Sequence, residues 1–211
     1  MAIAKGRVQE ELVPLWQAAG FRWRLAAGSR QLWFAPNGDE PGAIIVRGPD
    51  VPVLVAQGVA DLGVVGQDLL REYPDWEVLQ VASLPVARCR VVLAGQRPEP
   101  PVGPFRVASK YRRITAEYLR QRQWLAEIVP LSGSLELAPL IGLAPYIVDI
   151  VETGQTLREH HLVEIETILP SEAQLIANPA HWRSKPEVVA VRDRLTAATT
   201  ATGTGKEGAH A

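Results

Sequence analysis

The stretch Tyr146-Ile-Val-Asp-Ile-Val-Glu-Thr-Gly-Gln-Thr-Leu157 concentrates groups able to do chemistry. A buried strand ends near Asp149, a tight turn containing Gly154 follows, and a helix is expected to open at Thr156. Such a turn presents successive backbone N–H groups and two threonine hydroxyls beside the positive end of a helix dipole, which suits a phosphate monoester. Glycine is needed because a side chain would hold the phosphate away from the amides. Asp149, at the carboxyl end of the strand, can accept hydrogen bonds from the two hydroxyls of a ribose. The same spacing also fits an ordinary N-cap turn in which the threonines only satisfy orphan amides.

Basic residues form a second constellation. Lys5 and Arg7 follow the first strand, Arg47 ends another, Arg88 and Arg90 flank Cys89, and Lys110 follows Ser109 at a strand end. Cations placed just beyond strand ends converge where α/β sheets bind ligands. Their target would be polyanionic, met by point charges and bidentate arginines. Solvated surface charge is the competing reading.

Other chemistries lack their residues. No G-x-G-x-x-G or G-x-S-x-G occurs, which disfavours a dinucleotide turn and a nucleophile elbow. Gly203-Thr-Gly-Lys-Glu207 lacks the upstream glycine and the hydroxyl residue of a P-loop. His160, His161, His181 and His210 with one cysteine make no metal-ligand spacing, so no protein metal site is expected. Cys89 reads as a small buried strand residue or as a thiol with a lowered pKa between two arginines. The 211 residues carry 22 Lys+Arg against 23 Asp+Glu, a net charge of −1. That balance argues against a nucleic-acid binder. A single cysteine excludes an internal disulfide. Charge at Lys5 and Arg7 precedes any apolar signal core, and the apolar run Leu131–Val151 carries Glu136, Asp149, Pro139 and Pro145. A cytoplasmic protein with no membrane span is therefore expected.

Alternating elements must position these residues. Strands are expected at Ala2–Ala4, Gln31–Phe34, Ala43–Val46, Leu62–Val65, Glu77–Val81, Arg88–Ala94, Phe105–Ala108, Ala126–Val129, Tyr146–Ile150, Leu162–Leu169 and Ala173–Ala177. Helices are expected at Val8–Ala19 (kinked at Pro14), Val51–Gln57 (capped by Asp50), Gln67–Glu72, Tyr111–Arg122, Leu135–Ile141, Thr156–His160 and Pro186–Ala198. The alternation points to an α/β fold. Arg97–Pro104 is a proline-rich loop. From Thr196 onward no aliphatic or aromatic residue larger than alanine occurs, so residues 199–211 are expected to be a disordered tail. Gly58-Val-Ala-Asp-Leu and Gly142-Leu-Ala-Pro-Tyr each follow a short helix and lead into a strand, an echo that two related lobes would produce.

Taken together, the motifs resemble the short form of the ATP phosphoribosyltransferase family from Ile3 to about Ala177. The matching stretches are Lys5-Gly-Arg7, Arg47-x-x-Asp-Val-Pro52, Gly58-x-Ala-Asp-Leu-Gly-Val-Val-Gly-x-Asp68, Arg88-Cys-Arg90 and Ala108-Ser-Lys-Tyr111. To these are added Leu131-Ser-Gly-Ser-Leu-Glu-Leu-Ala-Pro139, Gly142-Leu-Ala and Asp149-Ile-Val-x-Thr-Gly-x-Thr-Leu157. Ala4, Pro145-Tyr146 and Glu152 depart from the family pattern; Glu152 weakens anion binding if it points inward.

The resemblance implies a two-lobed, type II periplasmic-binding-protein-like fold with a cleft. Lobe I would hold residues 1–87 plus 170–198 and lobe II, the phosphoribosyl-binding lobe, residues 88–169. It implies that adenine N1 of ATP attacks the anomeric carbon of phosphoribosyl pyrophosphate, the first step of histidine biosynthesis, with Mg²⁺ carried by the substrates. Asp149, Thr153, Gly154, Gln155, Thr156 and Leu157 would hold the phosphoribosyl group. Lys5, Arg7, Arg47, Asp68, Arg88 and Lys110 would meet pyrophosphate or ATP. Asp149, Arg7 and Glu136 would be catalytic, Glu136 either steering adenine or ribose or capping a helix near Gly133-Ser134. A regulatory subunit resembling histidyl-tRNA synthetase, in a hetero-octamer, is implied as partner, since 211 residues leave no room for the regulatory domain of the long form. A non-catalytic small-molecule sensor on the same architecture is the rival reading.

Overall fold

The computed structural model describes residues 1–22, 31–38 and 40–203. The chain forms two units, one from Met1–Ala87 and the segment from Glu172 onward, the other from Arg88–Ser171. Among the described residues no helix is long and apolar enough to cross a membrane.

The first unit is built on β1 (Ala2–Ala4), β2 (Trp33–Phe34), β3 (Ala43–Val46) and β4 (Leu62–Gly66). β1 pairs in parallel with both β3 and β4, β2 is antiparallel on the outer edge of β3, and residues 173–177 run antiparallel to β4. Alternate residues face opposite sides, as the pleat requires. Ile3, Leu62 and Leu175 pack with Leu12, Trp16 and Leu195 on one side. On the other side, Ala2, Ala4, Val65 and Ile176 pack with Val51 and Val55. Burial on both faces is why these strands read as continuous apolar runs. Helix α1 (Arg7–Ala18) buries Leu12, Leu15 and Trp16 and continues through Pro14, with buried side chains on both sides of the missing donor. Helix α2 (Asp50–Ala56) lies close on β4, since a Cβ on Gly63 would meet Val51 Cγ1 at 2.7 Å and Val55 Cγ2 at 2.8 Å. Helix α3 (Gln67–Glu72) follows β4 directly.

The second unit is built on the end of β5 (Leu79–Gly95), then β6 (Phe105–Ser109), β7 (Ala126–Pro130) and β8 (Tyr146–Val151). β6 lies between β7 and β8 and is parallel to both, while β5 runs antiparallel to β8. Helices α4 (Arg112–Arg122), α5 (Leu137–Leu140) and α6 (Gln155–Glu159) fill the connections. Val92, Ala94, Ala108, Ile147, Leu157 and Leu162 form the core on one side. β9 (Val163–Ala177) then leads back to the first unit.

The glycine echo is structural. After α2, Val59 N and Ala60 N both donate to Leu54 O at 3.0 and 3.1 Å. After α5, Leu143 N and Ala144 N both donate to Ala138 O at 2.9 and 3.3 Å. Gly58 and Gly142 take φ of 70° and 72°, the left-handed residue that ends a helix and redirects the chain into a strand.

Several elements differ from the sequence expectation. β5 is one strand where two were expected, and so is β9; Pro85 and Pro170 sit inside them as exposed residues. The chain therefore returns to the first unit at Glu172, inside a strand, rather than at residue 170. Asp50 is the first residue of α2, and Pro49 occupies the cap. Helix α7 (Pro179–Ser184) was not anticipated; Asn178 Oδ1 caps it by accepting from Ala180 N and His181 N at 3.0 and 3.1 Å. Helix α8 runs from Pro186 to Gly203, so residues 199–203 are helical rather than part of a disordered tail. Alanine favours helix, Ala198 is buried, and the Thr199 and Thr200 hydroxyls donate to Thr196 O and Ala197 O within the helix. The remainder of the expected tail, residues 204–211, lies outside the described residues.

Candidate active site

Parallel strands bring their carboxyl ends to one edge, and in the second unit that edge gathers the residues singled out by sequence. Lys110 follows β6, Glu136 lies in the connection after β7, and residues 149–157 end β8 and turn into α6. Arg88 joins them because β5 is antiparallel and Arg90 pairs with Val151. Lys110 Nζ stands 3.0 Å from Asp149 Oδ1, and the same oxygen accepts from Ile150 N at 2.8 Å. Both side chains are partly exposed, so the pair is accessible to a ligand. Its footing is rigid. Buried Ser109 donates to Val148 O at 2.8 Å and accepts from Tyr111 N at 2.9 Å, tying the ends of β6 and β8 together.

The turn after β8 carries few side-chain caps. Gly154 takes φ 76° and ψ 8° at the N-cap of α6, which opens at Gln155, one residue earlier than expected. No side chain caps the helix; Thr153 Oγ1 lies 3.4 Å from Gln155 N, a marginal contact. Thr153, Gln155 and Thr156 are exposed, whereas Leu157 is buried and anchors the turn. Gln155 Nε2 donates to Glu159 Oε1 at 2.8 Å. Two guanidiniums hold the turn's carbonyls: Arg90 Nη1 donates to Glu152 O and Arg158 Nη1 to Thr153 O, each at 3.0 Å. Arg90 is itself gripped by Glu164, with Nε 3.0 Å from both carboxylate oxygens and Nη2 2.6 Å from one. That hydrogen bonding raises the Arg90 pKa and lowers that of Glu164. Arg90 is thus committed to a carboxylate, and sequence reading missed both its hold on the turn and that of Arg158. Glu136 is half-buried and occupies the N-cap position of α5 without a side-chain hydrogen bond to the helix.

In the first unit, the parallel strands β1, β3 and β4 bring Lys5, Arg47 and Asp68 to their common carboxyl edge. Ala4 pairs with Val46, and Lys5 N donates to Val46 O at 2.8 Å, so Lys5 and Arg47 are neighbours. Both are exposed. Among the described residues neither side chain has a hydrogen-bond or ion-pair partner, the arrangement of an anion site. Asp68 is buried in the first turn of α3, its carboxylate against Gly66. Arg7 is engaged within the unit: Nη2 donates to Ala87 O at 2.8 Å and Nε lies 3.8 Å from Glu11 Oε1. Glu11 in turn accepts from Ala87 N at 2.7 Å, and Ala87 holds φ 54°. Among the described residues no group of three or more His, Cys, Asp or Glu side chains is placed to hold a metal ion. Cys89 is a half-buried strand residue.

Comparison with known proteins bears on this arrangement. The family model HisG: ATP phosphoribosyltransferase matches residues 47–197. The ATP phosphoribosyltransferase of Sorangium cellulosum (strain So ce56) is 42% identical over 209 residues, covering 96% of this chain and 97% of that protein. The solved ATP phosphoribosyl transferase (HisG:HisZ) complex from Thermotoga maritima superposes with a TM-score of 0.80 at 33% identity, covering 95% of this chain and 98% of that one. The periplasmic VFT2 domain of Bordetella pertussis BvgS matches with a TM-score of 0.57 at 15% identity, covering 93% and 86%, a likeness of fold alone.

Proposed function

The chain belongs to the ATP phosphoribosyltransferase family, and from that premise we propose that its two strand-end edges take different parts of the substrates. The reaction joins ATP to phosphoribosyl pyrophosphate. Adenine N1 forms a bond to the anomeric carbon as the carbon–oxygen bond to pyrophosphate breaks, with inversion, giving N1-(5-phosphoribosyl)-ATP and pyrophosphate. This is the first step of histidine biosynthesis.

The second unit's edge holds the phosphoribosyl group. Asp149 accepts hydrogen bonds from the ribose hydroxyls, and the turn Thr153-Gly154-Gln155-Thr156-Leu157 receives the 5′-phosphate on its amides and hydroxyls. Lys110 and Arg88 stand at the same edge and stabilise phosphate charge. Glu136, which makes no side-chain hydrogen bond to α5, orients adenine or ribose. The first unit's Lys5, Arg7, Arg47 and Asp68 serve the pyrophosphate and ATP phosphates. Positive charge builds on the ribose and negative charge on the leaving group, so no protein nucleophile is needed; holding two substrates in line supplies about 7–11 kcal/mol. The protein donors form no cage for a divalent cation among the described residues. Mg²⁺ would be carried on substrate phosphate oxygens, where it would neutralise the departing pyrophosphate.

A regulatory subunit like the HisZ of the Thermotoga maritima complex completes this reading, in a hetero-octamer of cytoplasmic location. The observation that carries the proposal is the Lys110–Asp149 pair beside the uncapped Gly154 turn. Its test is turnover: mix the chain with ATP, phosphoribosyl pyrophosphate and Mg²⁺, with and without such a subunit, and follow adduct absorbance. Adduct formation is expected. Absence of turnover under every partner condition would favour the sensor, a reading the family match does not favour.

A further inference from the structure

We propose that Arg90 and Arg158 are positioning residues that aim the amides of the Glu152–Gly154 turn at the substrate phosphate. The inference rests on the reading that this turn holds the 5′-phosphate. In a trans peptide the C=O and N–H point in opposite directions. Arg90 Nη1 fixes the carbonyl of Glu152 and Arg158 Nη1 that of Thr153, each at 3.0 Å. The N–H groups of Thr153 and Gly154, which share those two peptide planes, are thereby turned away from both guanidiniums and held there. Each arginine also polarises the peptide it grips, strengthening the opposite N–H as a donor.

Both arginines are placed by contacts of their own. Arg90 is clasped by Glu164, which also accepts from Thr167 Oγ1 at 2.7 Å. Arg158 packs against the α-carbon of Gly154; a Cβ there would meet its Nη1 at 3.2 Å. Glycine at this position therefore serves both the left-handed backbone and the arginine's approach. Neither guanidinium needs to touch substrate.

The test measures affinities of the full chain for phosphoribosyl pyrophosphate and for ATP by calorimetry in Arg158→Ala, Arg90→Gln and Thr156→Val. Loss of either arginine should raise the Kd for phosphoribosyl pyrophosphate about tenfold, the scale of one charge-assisted hydrogen bond, and leave that for ATP unchanged. Added guanidinium should restore Arg158→Ala, an exposed position where folding is not at stake. If Thr156→Val weakens phosphoribosyl pyrophosphate binding but Arg158→Ala does not, the positioning role is wrong. If none of the three variants weakens it, the assignment of the turn is wrong. Equal loss of both ligands in Arg158→Ala, without guanidinium rescue, also overturns the proposal.

Discussion

Lys110 Nζ, just past the end of β6, lies 3.0 Å from Asp149 Oδ1, two residues before the end of β8. Ribose hydroxyls binding to Asp149 would compete with this contact and leave the ammonium group to a phosphate. The pair thus holds a carboxylate and a cation ready at one edge. Replacing Asp149 with Ala should lower kcat/KM at least about tenfold, from loss of hydrogen bonds to charge of about 1.5–3 kcal/mol. Lys110→Ala should also lower it, and the double variant should lose less than the sum of the two. Steady-state kinetics of the three folded variants check this; full additivity would separate the two residues.

Arg47→Ala and Lys5→Ala should weaken binding of phosphoribosyl pyrophosphate or ATP, with a shallower salt dependence, by calorimetry. Thermal stability should not fall, because neither side chain has a partner to lose among the described residues. Arg7→Ala should weaken binding and also lower Tm, because its guanidinium carries the contact to Ala87 O. Unaltered affinity in all three would remove this edge from the site.

Gly154→Ala should cost stability of about 1 kcal/mol, since the residue sits at φ 76°. The KM for phosphoribosyl pyrophosphate should rise by more than that for ATP. Denaturation and a two-substrate kinetic matrix measure the two effects separately.

Asp61 gives a pH signature in stability. Burial pushes its carboxyl pKa up, but the hydrogen bond and charge of Lys185, 2.6 Å away, and the charge of His181 outweigh that and hold it below 3.8. His181 Nδ1 is 2.8 Å away without the alignment of a hydrogen bond. A carboxyl depressed in the folded state contributes stability that is fully present above its unfolded pKa and is lost as pH falls through the folded value. Asp61→Asn should therefore lower folding stability at neutral pH, by no more than about 1 kcal/mol for so exposed a pair. The gap from wild type should close below pH 3.8. Thermal melts across pH measure it.

Asn178→Ala should destabilise without touching kinetics. Its Oδ1 caps α7, and its Nδ2 donates to Val55 O and Ala56 O at 2.9 and 3.2 Å, closing the end of α2. Loss of a cap and of two hydrogen bonds, one buried and one partly buried, predicts about 1–3 kcal/mol, read from urea unfolding.

The strands that carry the candidate residues were legible because β1, β3, β4, β6 and β8 are short and mostly apolar and buried, with Lys5, Arg47 and Lys110 just past their ends and Asp149 near the end of β8. The glycine echo was legible for the same local reason: Gly58 and Gly142 end helices by their own backbone freedom. The continuity of β5 and β9 was not, because a proline within a run reads as a break, and only the fold shows Pro85 and Pro170 as exposed positions inside continuous strands. Helix α7 buries no residue and so has no apolar period; its signal was the pair Asn178-Pro179, a cap followed by a first-turn proline. The bonds of Arg90 and Arg158 to turn carbonyls, and of Arg7 to Ala87, depend on carbonyl directions that only the folded backbone sets.

The proposed roles of both edges turn on whether the Asp149–Leu157 segment receives the phosphoribosyl group. Backbone amide hydrogen exchange of the full chain, with and without phosphoribosyl pyrophosphate, tests it most directly. The amides of Thr153 to Leu157 should slow markedly on adding the ligand, and Asp149→Ala should weaken that protection. Saturating ligand that protects other segments while leaving these five amides unchanged would contradict it.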